Sequence, residues 1–266
     1  MKSKVIYSTS NKRISQLRSL LRYSAVESEG TIVVEGPKLL HEAVNSGLKI
    51  EAIFVAHSKI GYFQTTTFCK QFKEIIFPIT DKIFNSLTDT VTSQGILSKV
   101  RFPVAKMDPL LEGKPLLLIA HQLQDPGNLG TIIRSSEAFG VKGVLLTNQT
   151  VNFQNQKVVR ASSGSLFRVP VVSRLDPHIL VKRLKEQHIR LVAASPNGRH
   201  DFREFNYEGG LALIIGSESQ GIGKGFEKDL DLSLKIPMSG AINSLNVAIA
   251  TAIILCEASK RRVKSN

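Results

Sequence analysis

Short apolar runs alternate with amphipathic stretches through most of the chain. In the second half, almost wholly apolar runs predict strands at residues 116–120, 144–146, 191–194 and 211–215. Between and after them, the periodicity favours helices at about 129–139, 176–188 and 244–260. Continuous apolar strands that alternate with helices are typical of a parallel sheet covered on both faces. The pattern predicts an α/β fold whose ligands bind beyond the carboxyl ends of the strands.

The first hundred residues show the same alternation on a smaller scale. Apolar runs at 32–34 and 53–55 flank a helical stretch that begins near Pro37 and ends near Gly47. "EIIFPIT" and "QGILSKVRF" read as two further strands. A stretch rich in proline and charge, "RFPVAKMDPLLEGKP", then separates this part from the rest. We therefore predict two domains, residues 1–105 and 106–266.

The last predicted helix is apolar on nearly every side, whereas a surface helix usually has a single apolar stripe. It follows the bend "IPMSGAINSLNV", which clusters Asn243, Ser244 and Asn246 at its start. Such a helix is expected to be buried.

Charge and composition narrow the function classes. The net charge of +13 favours a polyanionic partner such as nucleic acid. The chain has no tryptophan and only four tyrosines, which disfavours a surface that stacks bases on aromatic rings. It shows no signal peptide and no apolar run long enough for a membrane span. We expect a cytoplasmic protein without a membrane partner.

Several catalytic signatures are missing. In "GSESQGIGKG", Ile222 stands where a phosphate-binding P-loop needs lysine. The sequence contains no G-x-G-x-x-G after a strand and no G-x-S-x-G. The six histidines and two cysteines, Cys69 and Cys256, have no metal-ligand spacing, so no metal site is expected.

Three segments retain features of a functional site. In "HQLQDPGNLGTIIRSSEAFG", Asn128 is predicted to cap a helix, Arg134 lies under two turns further on, and Gly140 ends the helix. The strand at 211–215 leads to Gly216 and Glu218 in a glycine-rich loop. The third segment is the bend that precedes the apolar helix.

In order and spacing, these segments resemble the SpoU family, the TrmH-type branch of the SPOUT RNA methyltransferases. The family pattern N-x-G-x-x-x-R is met by Asn128, Gly130 and Arg134, and G-x-E-x-x-G by Gly216, Glu218 and Gly221. Its last motif is met by "IPMSG" from Ile236 and "SLNV" from Ser244. The first hundred residues resemble the family's L30e-like substrate-binding domain through "SNKRI", "VEGPKLL" and "TSQGIL".

The resemblance implies a fold, a reaction and a set of residues. The main domain is expected to be a parallel sheet with a trefoil knot, preceded by a small α/β domain. The implied reaction transfers methyl from S-adenosylmethionine to a ribose 2′-hydroxyl of RNA in a homodimer formed through the knot region. The implied cofactor-binding residues are Gly216, Ile236, Met238 and Leu245. The residues implied to face the target nucleotide are Arg134, Glu218, Ser244 and Asn246, with Asn128 supporting Arg134.

Basic residues outside those motifs are candidates for RNA contacts, namely Lys12, Arg13, Lys38, Arg160 and Arg168. Ribosomal RNA is the substrate that the resemblance favours. The alternatives are a tRNA methyltransferase, an enzyme that confers antibiotic resistance by methylating the ribosome, and an RNA-binding factor without transferase activity.

Overall fold

A computed structural model describes residues 5–22, 30–90, 92–217, 221–223 and 226–263. The chain divides into two compact units. The first unit comprises Met1–Val104 together with Gln154–Arg160, and the second comprises Ala105–Phe153 and Ala161–Asn266. The segment Gln154–Arg160, which the sequence-based boundary assigns to the second domain, thus groups with the first unit.

The first unit is built on a four-stranded mixed sheet. Its strands are β1 Thr31–Glu35, β2 Ile50–Ala56, β3 Ile76–Ile79 and β4 Ile96–Arg101, in the order β1-β4-β2-β3. β2 and β3 are parallel and the other pairs are antiparallel. Its helices are α1 Lys12–Arg22, α2 Pro37–Asn45, α3 Ile60–Gln64, α4 Thr67–Gln71 and α5 Asp81–Asn85. Ile14 and Leu17 of α1 are buried in the same core cluster as Phe54, whereas Lys12 and Arg13 at the start of the helix are exposed.

The second unit contains a parallel sheet of seven strands within the described residues. Its strands are β5 Leu116–Ala120, β6 Gly143–Thr147, β7 Val171–Leu175, β8 Arg190–Ala194, β9 His200–Asp201, β10 Leu211–Ile215 and β11 Leu232–Lys235. Their order is β7-β6-β5-β10-β8-β11-β9, and every pair is parallel. The predicted α/β fold with a parallel sheet is confirmed. The trefoil knot stays a prediction.

Four further helices accompany this sheet: α6 Asp108–Leu111, α7 Pro126–Ala138, α9 Pro177–Glu186 and α10 Val247–Val263. A fifth helix, α8 Gln156–Ser162, begins in residues of the first unit and ends in residues of the second. Along the described part of the chain, no helix combines the length and the apolar character that a membrane crossing requires.

The ends of α7 correct one prediction and confirm another. The prediction that Asn128 caps α7 is wrong, because the cap is Asp125, whose Oδ1 accepts a hydrogen bond from the Asn128 amide at 2.6 Å. Pro126 explains the earlier start, since proline lacks an N–H and fits the first helical position. Gly140 follows the last helical turn with φ of +69°, as predicted for the residue that ends the helix.

Helix α10 buries most of its circumference but not all of it. Val247, Thr251, Ile254 and Leu255 are among its buried residues, whereas Ile249 is 54% exposed. The exposed residues also include Cys256, seven positions and about two turns further along the helix, with half-buried Ile253 between them. Within a single chain, one stripe of this helix therefore stays exposed, and its burial against a second copy stays a prediction.

Candidate active site

A cavity of about 180 Å³ lies at the carboxyl ends of three neighbouring strands of the second unit. Its walls come from the segments after β8, β10 and β11 and from the first turns of α10. Ligands of open parallel sheets bind at this edge. The glycine-rich segment after β10 and the bend before α10, which are separate in sequence, line this one cavity.

The four predicted cofactor-binding residues all line the cavity, together with Ser244 of the predicted nucleotide-facing set. These four are Gly216, Ile236, Met238 and Leu245. The apolar part of the wall includes Ile215, Leu234 and Ile254. Ala194, Ser195 and Pro196 also line it, although the sequence pattern points only to the end of their strand and not to these residues.

Gly216 is constrained by its own loop. The Gly221 amide donates to the Ser217 carbonyl at 2.9 Å, so the chain folds back on itself directly after β10. A Cβ atom at position 216 would lie 1.9 Å from the Gly221 carbonyl oxygen, far inside van der Waals contact. Glycine is thus required for the loop to close, whether or not a ligand approaches. Glu218, the predicted carboxylate of this loop, lies outside the described residues.

Asn246 connects the start of α10 to the start of α7. Its Oδ1 accepts hydrogen bonds from the amides of Ala248 at 2.9 Å and Ile249 at 3.3 Å, which makes it the N-cap of α10. Its Nδ2 donates to Asn128 Oδ1 at 2.9 Å. Two predicted site residues, 118 positions apart in sequence, are therefore in direct contact.

Arg134 lies on α7 about 9 Å of helix rise beyond Asn128. Its side chain is exposed and does not line the cavity. It makes no ion pair with the described residues. The structure thus gathers Asn128, Ser244 and Asn246 near the cavity and leaves the guanidinium of Arg134 facing solvent.

Replacing Asn246 with alanine should remove both the cap and the link to Asn128. We expect the free energy of unfolding to fall by about 1–2 kcal/mol. Asn246→Ser is the matched control, because a serine hydroxyl still caps the helix but is too short to reach Asn128. If denaturant titration shows that the alanine and serine variants lose the same free energy of unfolding, the cap is not the source of the destabilisation.

His121 is a residue of this region that the sequence pattern does not mark. It follows β5, is 3% exposed, and its Nδ1 lies 2.9 Å from Thr147 Oγ1. Its ring packs edge-on against Phe226, and its amide donates to the Ile215 carbonyl at 2.9 Å. Burial lowers the pKa of His121, so the imidazole is neutral at physiological pH, and the backbone of His121 is held beside the end of β10.

The basic residues predicted to contact RNA differ in their surroundings. Lys12 and Lys38 are exposed, and the guanidinium of Arg13 lies 4.5 Å from the centre of the Phe77 ring. Arg160 pairs with Glu35 at 3.6 Å. Arg168 forms a two-point ion pair with Glu137, in which its Nη2 lies 3.2 Å from Oε2. The hydrogen bond from Arg168 holds the pKa of Glu137 below its usual value.

Comparison with known proteins decides the family. The model of the SpoU rRNA Methylase family matches residues 115–256, and that of the MRM3-like substrate binding domain matches residues 11–98. The chain belongs to the SpoU family. As a member of that family, it is an S-adenosylmethionine-dependent RNA methyltransferase.

Individual relatives of this SpoU protein match along nearly its full length. The 23S rRNA (guanosine(2553)-2′-O)-methyltransferase RlmP of Bacillus subtilis is 31% identical over 95% of this chain and 98% of its own. An AdoMet-bound rRNA methyltransferase from Sinorhizobium meliloti superposes with a TM-score of 0.79 at 25% identity, over 98% of both chains. AviRb from Streptomyces viridochromogenes, in complex with AdoMet, gives a TM-score of 0.82 at 24% identity, over 95% of this chain and 98% of its own, and supports the fold alone.

Within the described residues, no three side chains of His, Cys, Asp or Glu lie close enough together to hold a metal ion.

Proposed function

We propose that this SpoU protein methylates a ribose 2′-hydroxyl of ribosomal RNA, with the methyl donor held in the cavity of the second unit. The observation that carries the proposal is the meeting of the segments after β8, β10 and β11 in one cavity. The match to RlmP over both units supports ribosomal RNA as the substrate.

The cavity suits the two chemically different parts of S-adenosylmethionine. Ile236, Leu245 and Ile254 offer an apolar wall to a flat adenine ring. Backbone at Gly216 and the hydroxyls of Ser195 and Ser217 offer hydrogen-bonding groups to a ribose and an amino-acid end. When bound, the cofactor supplies an electrophilic methyl group on its sulfonium.

Arg134 is the residue we assign to the target nucleotide. A guanidinium resists deprotonation in proteins, so it is poorly suited to act as a base. Its planar fork instead suits a phosphate and the negative charge that develops on an attacking ribose oxygen. Holding the hydroxyl in line with the methyl group then supplies a further part of the rate enhancement.

We further propose that the enzyme is a cytoplasmic homodimer and that the stripe of α10 around Ile249 and Ile253 faces the second copy. A buried apolar helix with one exposed apolar stripe is typical of a surface that another chain covers.

The dimer proposal predicts the effect of Ile249→Glu. A carboxylate buried in an apolar interface would lose its hydration, so the mass measured by light scattering should fall to that of one chain. Ile179→Glu is the matched control, since Ile179 is 64% exposed on α9 of the same unit. If the two variants have the same mass in light scattering, the assigned interface is wrong.

The proposed reaction is tested by mapping 2′-O-methylated riboses in RNA from a strain that lacks this protein. We expect one methylation site in ribosomal RNA to disappear and to return when the wild-type chain is supplied. Loss of a methyl group from tRNA alone would favour the tRNA alternative. Unchanged methylation in all RNA would contradict the proposal.

A further inference from the structure

The first unit contains a second cavity, of about 220 Å³, which takes no part in the proposed methyl transfer. It is formed by α1, the end of β1, the segment after α5 and the segment Gln154–Arg160. It has room for about seven waters. Most of its lining is polar, including Arg18, Arg22, Ser86, Gln156 and Arg160.

Glu35 forms a fixed part of the cavity wall. Its side chain is 6% exposed and accepts hydrogen bonds from the hydroxyls of Thr88 at 2.8 Å, Thr90 at 2.9 Å and Ser93 at 2.7 Å. Arg160 lies 3.6 Å from the same carboxylate. A carboxylate accepts about four hydrogen bonds, so Glu35 has little capacity left to neutralise other cations.

Two of the arginines have no such partner among the residues that the structure describes. Arg18 and Arg22 are one turn apart on α1, so their guanidinium groups are neighbours of like charge. Arg18 is half-buried, and neither side chain forms an ion pair or a hydrogen bond with the described residues. The remaining carboxylate in the lining is Asp89, which is exposed. Counted over the described lining, the cavity thus has surplus positive charge that an anion would compensate.

We propose that this cavity binds one phosphate of the RNA substrate and its sugar, with Arg18 and Arg22 on the phosphate oxygens. Guanidinium groups bind phosphate with paired N–H donors, and phosphate contacts set the position of a strand. Ser86 Oγ already donates to the Ile83 carbonyl at 2.7 Å and keeps its lone pairs, so it can accept a hydrogen bond from a ribose 2′-hydroxyl. That RNA is the source of the phosphate rests on the proposed function.

The test measures binding of a fluorescent single-stranded RNA 20-mer to the full chain. In Arg18→Gln/Arg22→Gln, we expect the Kd to rise at least about tenfold, and the slope of log K against log salt to shrink by about 0.7 for each phosphate that the variant no longer neutralises. Lys70→Gln/Lys73→Gln is the matched control, because it removes the same charge from exposed positions of the same unit. Its Kd should change by less than about threefold.

Further measurements test the guanidinium geometry, the integrity of the fold and the identity of the ligand separately. Arg18→Lys/Arg22→Lys should keep the wild-type salt slope and recover only part of the affinity, because lysine lacks the fork. Affinity for S-adenosylmethionine should be unchanged in every variant, which reports an intact second unit. A DNA 20-mer of the same sequence should bind more weakly than RNA to the wild-type chain.

Three results would overturn the proposal. The first is an equal loss of RNA affinity in Arg18→Gln/Arg22→Gln and in the control Lys70→Gln/Lys73→Gln. The others are equal affinity for RNA and DNA, and displacement of the RNA by micromolar adenosine monophosphate. Absence of methyl transfer with RNA binding as expected would instead overturn the proposed function and leave this site standing.

Discussion

Arg134→Ala should lower the rate of methyl transfer at least about 10²–10³-fold while leaving the Kd for S-adenosylmethionine within about twofold of wild type. We expect the rate to fall without a loss of cofactor affinity because Arg134 is exposed on α7 and does not line the cavity. Removing it therefore takes away a group that acts on the target nucleotide and leaves the cofactor contacts in place.

Calorimetry with S-adenosylmethionine and single-turnover transfer of a tritiated methyl group measure the two effects. Arg134→Lys keeps the positive charge without the planar fork, and we expect it to recover little of the rate. If the alanine variant loses cofactor affinity by the same factor as rate, Arg134 acts on the cofactor and its assignment to the nucleotide is wrong.

Gly216→Ala should weaken binding of S-adenosylmethionine by about 100-fold or more. The new Cβ would lie 1.9 Å from the Gly221 carbonyl oxygen, and the obstacle is backbone and not a side chain that can rotate away. The segment after β10 must then move out of the position in which it lines the cavity. Overpacking of this kind costs about 1–3 kcal/mol, so the unfolding free energy should fall as well.

Gly240→Ala is the control for this effect. Gly240 lies in the bend before α10, and a Cβ there would have no atom within 4 Å. Its backbone does not have the positive φ that side chains avoid. We expect cofactor affinity within about threefold of wild type, since Gly→Ala at a compatible position is neutral or stabilising. Equal affinity of the two alanine variants would show that loop closure at Gly216 does not shape the binding site.

The central strands of the second unit are predictable from the sequence because they are continuous apolar runs. Residues 116–120 and 211–215 are strands in the structure with the predicted bounds, and every residue of both is buried. β7, β9 and β11 lie at or next to the sheet edges and carry exposed residues such as Arg174 and Lys235. Their mixed pattern does not differ from that of a loop, so the sequence pattern does not reveal these strands.

Side-chain partners are not predictable from the sequence because they depend on folding at long range. The family resemblance assigns Asn128 and Asn246 to the site, but their mutual hydrogen bond needs α7 and α10 side by side. The pairing of Arg168 with Glu137 spans 31 residues, and that of Arg160 with Glu35 brings together residues from distant parts of the chain. Charge alone marks both arginines as RNA contacts, and it gives no information on such internal partners.

The most direct test of the account is a crystal structure of this chain with S-adenosylhomocysteine. We predict that the adenosine lies between the segments after β8, β10 and β11, with its base against Leu245 and its ribose against the backbone at Gly216. A product molecule bound at any other place on the chain, with this cavity unchanged, would contradict the account.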